Sequence, residues 1–362
     1  MTEVYELLAK KLDELPHGFP STESGVEIKI LKKIFSPEEA EMALKIRPVP
    51  EPAEAIARRL GKPLDEMQAI LDSMVRQGQI GSLAANGMQT YALFPFIIGI
   101  WEFQMNRLDK ELAELFHEYY PHLGEVLAKF APSVTRVLPI QAQIKAEQTV
   151  LPYEDIRQMF EQSKSFQLMN CICRKESALL GKPCKHETEV CMGFSRYEGA
   201  FDRYPLGRII TKEEALNVLT KAEEDGLVHL TYNLKSDSFF VCNCCSCCCL
   251  VLKAVKDYNL PHMLAKSHYL ASIDQESCAA CGTCADERCP MEAIVEDNGG
   301  YKVQPQRCIG CGVCTNTCPT ESITLVHRPE SEREQPAENI FDWCIRSGGS
   351  SSLLEFIFFC VQ

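Results

Sequence analysis

Of the residues able to do chemistry in this 362-residue sequence, the 20 cysteines stand out, and eight of them fall into two runs. Cys308, Cys311, Cys314 and Cys318, followed by Pro319, read C-x2-C-x2-C-x3-C-P. Cys278, Cys281, Cys284 and Cys289, followed by Pro290, open the same way but place four residues before the last cysteine. Thiolates at these intervals let one tight loop grip three corners of an iron–sulfur cubane, while the fourth cysteine points away and serves a neighbouring cluster. Zinc is usually held by cysteine pairs across a longer spacer, which explains two triple-cysteine runs poorly.

The two runs form an internal repeat. Cys278, Cys281 and Cys284 lie 30 residues before Cys308, Cys311 and Cys314, and Cys289 lies 29 before Cys318. On these residues, the segment 275–327 resembles the bacterial dicluster ferredoxin family. The resemblance implies two 4Fe-4S clusters related by a pseudo-twofold axis. It implies that Cys278, Cys281, Cys284 and Cys318 hold one cluster, and Cys308, Cys311, Cys314 and Cys289 the other. The extra residue before Cys289 departs from the family pattern. Gly282, Gly310 and Gly312 suit loops where the backbone must approach inorganic sulfide, and Pro290 and Pro319 fix the chain direction at each loop's end.

Ten further cysteines occupy the middle of the chain. Cys171, Cys173, Cys184 and Cys191 form a first part, and Cys242, Cys244, Cys245, Cys247, Cys248 and Cys249 a second. Soft thiolates favour iron–sulfur assemblies, and ten exceed the need of one cubane, so one or more additional clusters are expected here. A structural zinc and an inert or redox-active thiol patch are the competing readings. Cys171, Cys173, Cys184 and Cys191 make one complete set of four. Cys244, Cys245, Cys247 and Cys248 flank Ser246 symmetrically, but adjacent side chains diverge, so at least one of each vicinal pair is expected to bind a second centre or none. Arg174, Lys175, Lys182, Lys185 and His186 surround the first part, either as donors to cluster sulfur or as a solvated face.

The expected architecture is α+β. It has a helical, winged-helix-like domain at 1–125, a Cys-rich central α+β domain at 126–270, the dicluster ferredoxin-type domain at 271–328, and a linker with an apolar tail at 329–362. Ser36-Pro37-Glu38-Glu39 opens a helix with a capping serine and acids in the first turn. Glu54–Leu60, then Glu66–Gln77 with apolar residues at helical spacing, lead to a hairpin through Asn86-Gly87. Helix, turn, helix and wing resemble a winged-helix domain. The helix in the DNA-reading place exposes Asp65, Glu66, Gln68, Asp72 and Ser73 with Arg76 alone as a cation, so a protein-docking scaffold is the better reading. Trp101–Tyr120 reads as one helix ending at Pro121. Thr211-Lys212-Glu213-Glu214 opens another helix, and the strands Leu227–Tyr232 and Ser238–Val241 after it would return the second cysteine part to the first. His117 and His122 show no ligand partners. Leu353–Val361 is a docking segment or a non-native end, and Cys344 and Cys360 have no assignment.

The formal charge of −13 argues against a nucleic-acid partner and suits docking to a basic patch on a redox protein. Tyr91–Trp101 and Leu353–Val361 are too short to cross a bilayer, so no transmembrane segment is expected. Met1–Lys11 is polar rather than a signal peptide, so the thiols are expected to stay reduced in the cytoplasm, and the oxygen sensitivity of exposed cubanes makes low oxygen the expected setting. No Gly-rich nucleotide fingerprint follows a strand, which speaks against NAD(P) or flavin. Three functions follow: single-electron transfer between redox partners, a reductase with its active site at a central cluster, or a redox-sensing winged-helix regulator. Oligomer formation is compatible with each.

Overall fold

The computed structural model describes residues 2–85, 87–140, 144, 150–236 and 238–347. The apolar tail with Cys360, and Asn86 of the expected hairpin turn, lie outside them.

The N-terminal region packs α1 (Thr2–Asp13), α2 (Val26–Ile34) and α3 (Pro37–Lys45) through their apolar faces. Ser36 accepts from the Glu39 amide at 3.2 Å and Glu39 accepts from the Ser36 amide at 2.8 Å, a reciprocal cap that starts α3. The next unit is β1 (Glu51–Pro52), α4 (Ala53–Leu60), α5 (Leu64–Arg76), β2 (Gly81–Ala85) and β3 (Met88–Ala92), with sheet order β1-β3-β2. Met67, Leu71 and Met74 face inward from α5. Asp72 on α5 receives Tyr91 at 3.0 Å, Arg203 at 2.9 Å and Tyr204, tying this helix to the central region.

The single helix expected from Trp101 to Tyr120 is not formed. A short turn, α6 (Trp101–Phe103), precedes α7 (Lys110–Leu127). Asp109 starts α7 by accepting from the Leu112 amide at 2.9 Å. Pro121 lies within α7 rather than at its end. His117, four residues earlier, sits with it on the exposed face of the helix.

The central region is a seven-stranded sheet in the order β10-β4-β8-β9-β6-β5-β7. In chain order its elements are β4 (Thr135–Leu138), α8 (Ile156–Glu161), β5 (Ser165–Asn170), α9 (Ile172–Leu179), β6 (Glu189–Ser195), β7 (Arg208–Ile210), α10 (Lys212–Glu224), β8 (Val228–Tyr232), β9 (Phe240–Cys244), α11 (Leu250–Lys256) and β10 (Leu264–Ala265). Thr211 caps α10 through the Glu214 amide at 3.2 Å. The pairing of β6 with β9, Met192 opposite Val241, and of β5 with β6, Met169 opposite Cys191, brings the two cysteine parts together.

The C-terminal region has two antiparallel pairs, β11 (Tyr269–Ile273) with β14 (Ile323–His327), and β12 (Ile294–Asp297) with β13 (Gly300–Val303). The sequence repeat is also a backbone repeat. Positive φ recurs at Ala280 and Gly310, at Gly282 and Gly312, and at Glu292 and Glu321. The last described helix, α12 (Ile340–Arg346), is pinned by Trp343, whose indole donates to the Pro132 carbonyl at 2.9 Å.

A buried charge network joins the central and C-terminal regions. Arg136 on β4 contacts Glu154 at 2.9 Å with both side chains inaccessible, and Glu154 also accepts from the His268 amide at 2.9 Å. Among the described residues, no helix is long and apolar enough to cross a membrane.

Candidate metal centres

Each C-terminal loop is shaped by backbone geometry before any ligand is considered. After Cys284 the chain makes one π-helical turn, in which the Cys289 amide donates to the Cys284 carbonyl at 3.1 Å. Such a turn absorbs one inserted residue. It accommodates the extra position before Cys289 and leaves that side chain beside Cys308, Cys311 and Cys314, with which it lines one cavity together with Pro290, Met291 and Ile294. Those four are the thiols the repeat assigns to one cluster.

The other four are also neighbours. Burial, then the charges of Cys281, Cys278 and Cys318, push the Cys284 thiol up to about 11. Burial likewise raises Cys311 and Cys314, with Cys289 and Cys308 among the charges that add to it. Among the described residues, no three of these eight sulfurs come within 4.8 Å of one another. Such spacing suits a multi-iron core, whose corners spread its thiolates apart, better than one ion. At Gly310, with φ +72°, a β-carbon would lie 2.2 Å from the Ser267 hydroxyl and the Tyr269 carbonyl, so this glycine is required by the neighbouring segment. The first loop is open to solvent, with Cys281, Asp286 and Glu287 exposed, whereas Ile309 to Thr315 of the second are buried.

The ten central thiols separate into six and four. Cys173 neighbours Cys171, which neighbours Cys191, then Cys242, Cys244 and Cys249, and Cys249 comes back to Cys173. Hydrogen bonds from Cys191 and Cys244 bring the Cys242 thiol down to about 5, and those from Cys173 and Cys191 bring Cys171 well down. The remaining four, Cys184, Cys245, Cys247 and Cys248, have sulfurs that all lie within 4.8 Å of one another.

This division differs from the sets read from spacing. Cys184 stands with Cys245 and Cys247, not with Cys171, Cys173 and Cys191. Cys244 separates from Cys245, as diverging side chains require, but Cys247 and Cys248 stay together at 3.7 Å because a tight turn, not a strand, carries them. Cys242 and Cys249 had no place in those sets, although both belong to the same dense run.

Arg174 joins the two parts from a buried position. It donates to the Asn243 carbonyl at 3.1 Å and to the Glu187 carbonyl, and its charge acts on Cys171, Cys245 and Cys184. Lys175 instead reaches the Met105 carbonyl, and His186 pairs with Asp225 at 2.8 Å. The six-thiol ring forms part of the wall of a cavity of about 260 Å³, otherwise mostly apolar, with Ile97, Trp101 and Phe240 among its lining. Glu102 also lines it, and burial pushes this carboxyl up to about 7. Neither Glu102 nor the ring is visible in local spacing. His117 stands 3.8 Å from the buried Glu176, whose charge acts in turn on Cys173.

Comparison with known proteins bears on the C-terminal region. Residues 277–323 match the 4Fe-4S dicluster domain family. The chain is 44% identical over 55 residues to the pyruvate synthase subunit PorD of Methanocaldococcus jannaschii, covering 15% of this chain and 63% of that protein. It is 33% identical over 70 residues to the electron transport protein HydN of Escherichia coli, covering 18% of this chain and 40% of that one. A ferredoxin of Streptomyces griseus is 33% identical over 70 residues, covering 18% of this chain and 67% of that one. The chain thus spans less than two thirds of PorD and HydN. No solved structure matches significantly. By this C-terminal segment the chain belongs to the dicluster ferredoxins and carries two 4Fe-4S clusters.

Proposed function

We propose that the chain passes single electrons between redox protein partners through its two C-terminal clusters, with the six-thiol ring as a further iron–sulfur centre on the same path. Cys278, Cys281, Cys284 and Cys318 hold the outer cluster, and Cys308, Cys311, Cys314 and Cys289 the inner one. A bound 4Fe-4S cluster supplies reversible one-electron chemistry, tuned by hydrogen bonds, charge and exposure.

One observation carries this reading. Cys311 shares a single apolar core with Cys244 and Cys249 of the ring, and Cys242, Cys289 and Cys308 pack against it. The inner loop and the ring thus pack into one apolar core. The outer loop presents its acidic, solvent-facing edge to a partner, where opposite charge would steer the encounter. The N-terminal unit around α5 serves as a scaffold or docking module, since Asp72 is already engaged by the central region. Relatives such as PorD and HydN are, by name, an enzyme subunit and an electron transport protein, which supports a redox-protein partner.

Anaerobic reconstitution with iron and sulfide counting, followed by EPR, tests the reading. The expected result is more than the roughly eight irons two cubanes require, and loss of the excess in Cys242→Ser. Eight irons in the intact chain, unchanged by that substitution, would remove the central centre from the path.

The cavity beside the ring favours a second reading, a reductase. A largely apolar cavity with one half-buried carboxyl has the character of a substrate site with a proton donor. Glu102→Gln would then suppress turnover of a small apolar acceptor about a hundredfold, while leaving one-electron exchange with a redox protein intact. Equal effects on both would reject it.

A further inference from the structure

We propose that Cys184, Cys245, Cys247 and Cys248 form a closed site for a single tetrahedral metal ion, zinc, separate from every iron–sulfur centre of the chain. The reading does not depend on electron transfer.

Geometry carries it. Cys184 lies 3.6 Å from Cys245 and 3.6 Å from Cys247, and Cys247 lies 3.7 Å from Cys248, sulfur to sulfur. Zinc–thiolate bonds of about 2.3 Å in a tetrahedron set sulfurs about 3.8 Å apart. All four sulfurs fall within 4.8 Å of one another, which suits one ion at their centre and is too compact for a core of four irons and four sulfides. The eight C-terminal sulfurs contain no such group of three among the described residues, so compactness is not a general property of this chain's thiols.

The site also has the construction of a structural ion. Cys184 comes from the loop between α9 and β6. The other three come from the turn between β9 and α11, closed by the Cys249 amide donating to the Cys245 carbonyl at 3.1 Å. The ion would therefore clasp two segments 61 positions apart in sequence. Four protein thiolates leave no open coordination position, and zinc has no redox chemistry. Buried Arg174 offsets part of the negative charge that four thiolates around a divalent ion would carry. Within the dense run, Cys245, Cys247 and Cys248 go to the ion while Cys242, Cys244 and Cys249 stay with the ring.

The test is made on the intact chain, expressed with iron and zinc both supplied and purified without oxygen. Metal analysis and zinc-edge X-ray absorption are expected to give one zinc per chain with four sulfur neighbours at about 2.3 Å. Cys247→Ser, at the exposed ligand, is expected to weaken zinc retention against a colorimetric chelator at least tenfold while the iron count stays constant. Cobalt added to the zinc-stripped chain should give the intense visible bands of a tetrahedral thiolate site, and these should shift in Cys247→Ser. Absence of zinc and cobalt binding by the reduced chain would overturn the proposal. So would a loss of about four irons in Cys247→Ser, or a lone iron in place of zinc.

Discussion

In the C-terminal loops three of each four thiols come from seven consecutive residues, such as Cys308 to Cys314, whereas the central quartet joins Cys184 to Cys245 across 61 positions. The first arrangement is set by local turns and positive-φ residues that recur in both halves. The second exists only because β9 pairs with β6 and places one turn against a distant loop. Locally built loops spread their sulfurs around a cavity, while the sheet-assembled quartet draws its sulfurs together. Chain-local thiols can therefore wrap a preformed inorganic core, whereas thiols brought together from distant segments are suited to an ion that locks those segments. The contrast predicts different responses to damage.

The largest effect is expected where the two regions are fastened to each other. Arg136→Met would leave inaccessible Glu154 without its guanidinium, a loss of about 3–5 kcal/mol. Denaturant unfolding followed at both the cluster absorbance and the protein signal should then move together to a lower midpoint. If the C-terminal absorbance kept its original midpoint, the regions would be independent and the network only a local feature of the central sheet.

A smaller effect should separate them. Gly310→Ala forces a β-carbon against the Tyr269 carbonyl and the Ser267 hydroxyl at 2.2 Å, a crowding worth about 1–3 kcal/mol. Iron retention by the inner loop should fall while the central quartet keeps its metal. Gly61→Ala provides the control. Its φ of +65° is also unfavourable for alanine, but nothing lies within 4 Å, so only about 1 kcal/mol is expected, with no change in metal content. Equal iron loss in both variants would mean that global stability, rather than loop geometry, governs the clusters.

The same contrast explains what could be read before the fold was known. Both C-terminal motifs were legible because their spacing is itself the geometry of the loop. The π turn before Cys289 was not, since one added residue can be taken up by a turn or by displacing the cysteine. Part of the central division was available in principle: Cys242 and Cys244 are two apart on a strand and so share a face. The partner of Cys184 was not, because it depends on strand register across the sheet. At Trp101–Tyr120 the apolar period concealed a break that Asp109, a good capping residue, marks. Glu102 carries no local pattern, and the burial that raises its carboxyl depends on how the surrounding elements pack.

The finest distinction lies within the C-terminal region. Burial acts to raise the Cys318 thiol, but hydrogen bonds with Ser322, at 3.2 Å, and Thr320 outweigh it and bring it down to about 7. Cys284 receives no such help from a side chain and is pushed up to about 11. In the metal-free, reduced chain the thiolate is the reactive form, so at pH 8 Cys318 should be alkylated roughly a hundredfold faster than Cys284. The sign follows from the direction of each shift: Cys318 is mostly ionised above pH 7, while Cys284 stays protonated until far more alkaline conditions. Ser322→Ala removes a donor to the thiolate and should slow Cys318 alkylation several-fold at pH 7, an effect of about 1 kcal/mol, without altering Cys284. Peptide-resolved labelling by mass spectrometry measures both rates in one sample. If Ser322→Ala left the Cys318 rate unchanged, the hydroxyl would not be stabilising the thiolate. The lowering would then rest on Thr320 and the backbone amides of Thr320 and Ser322.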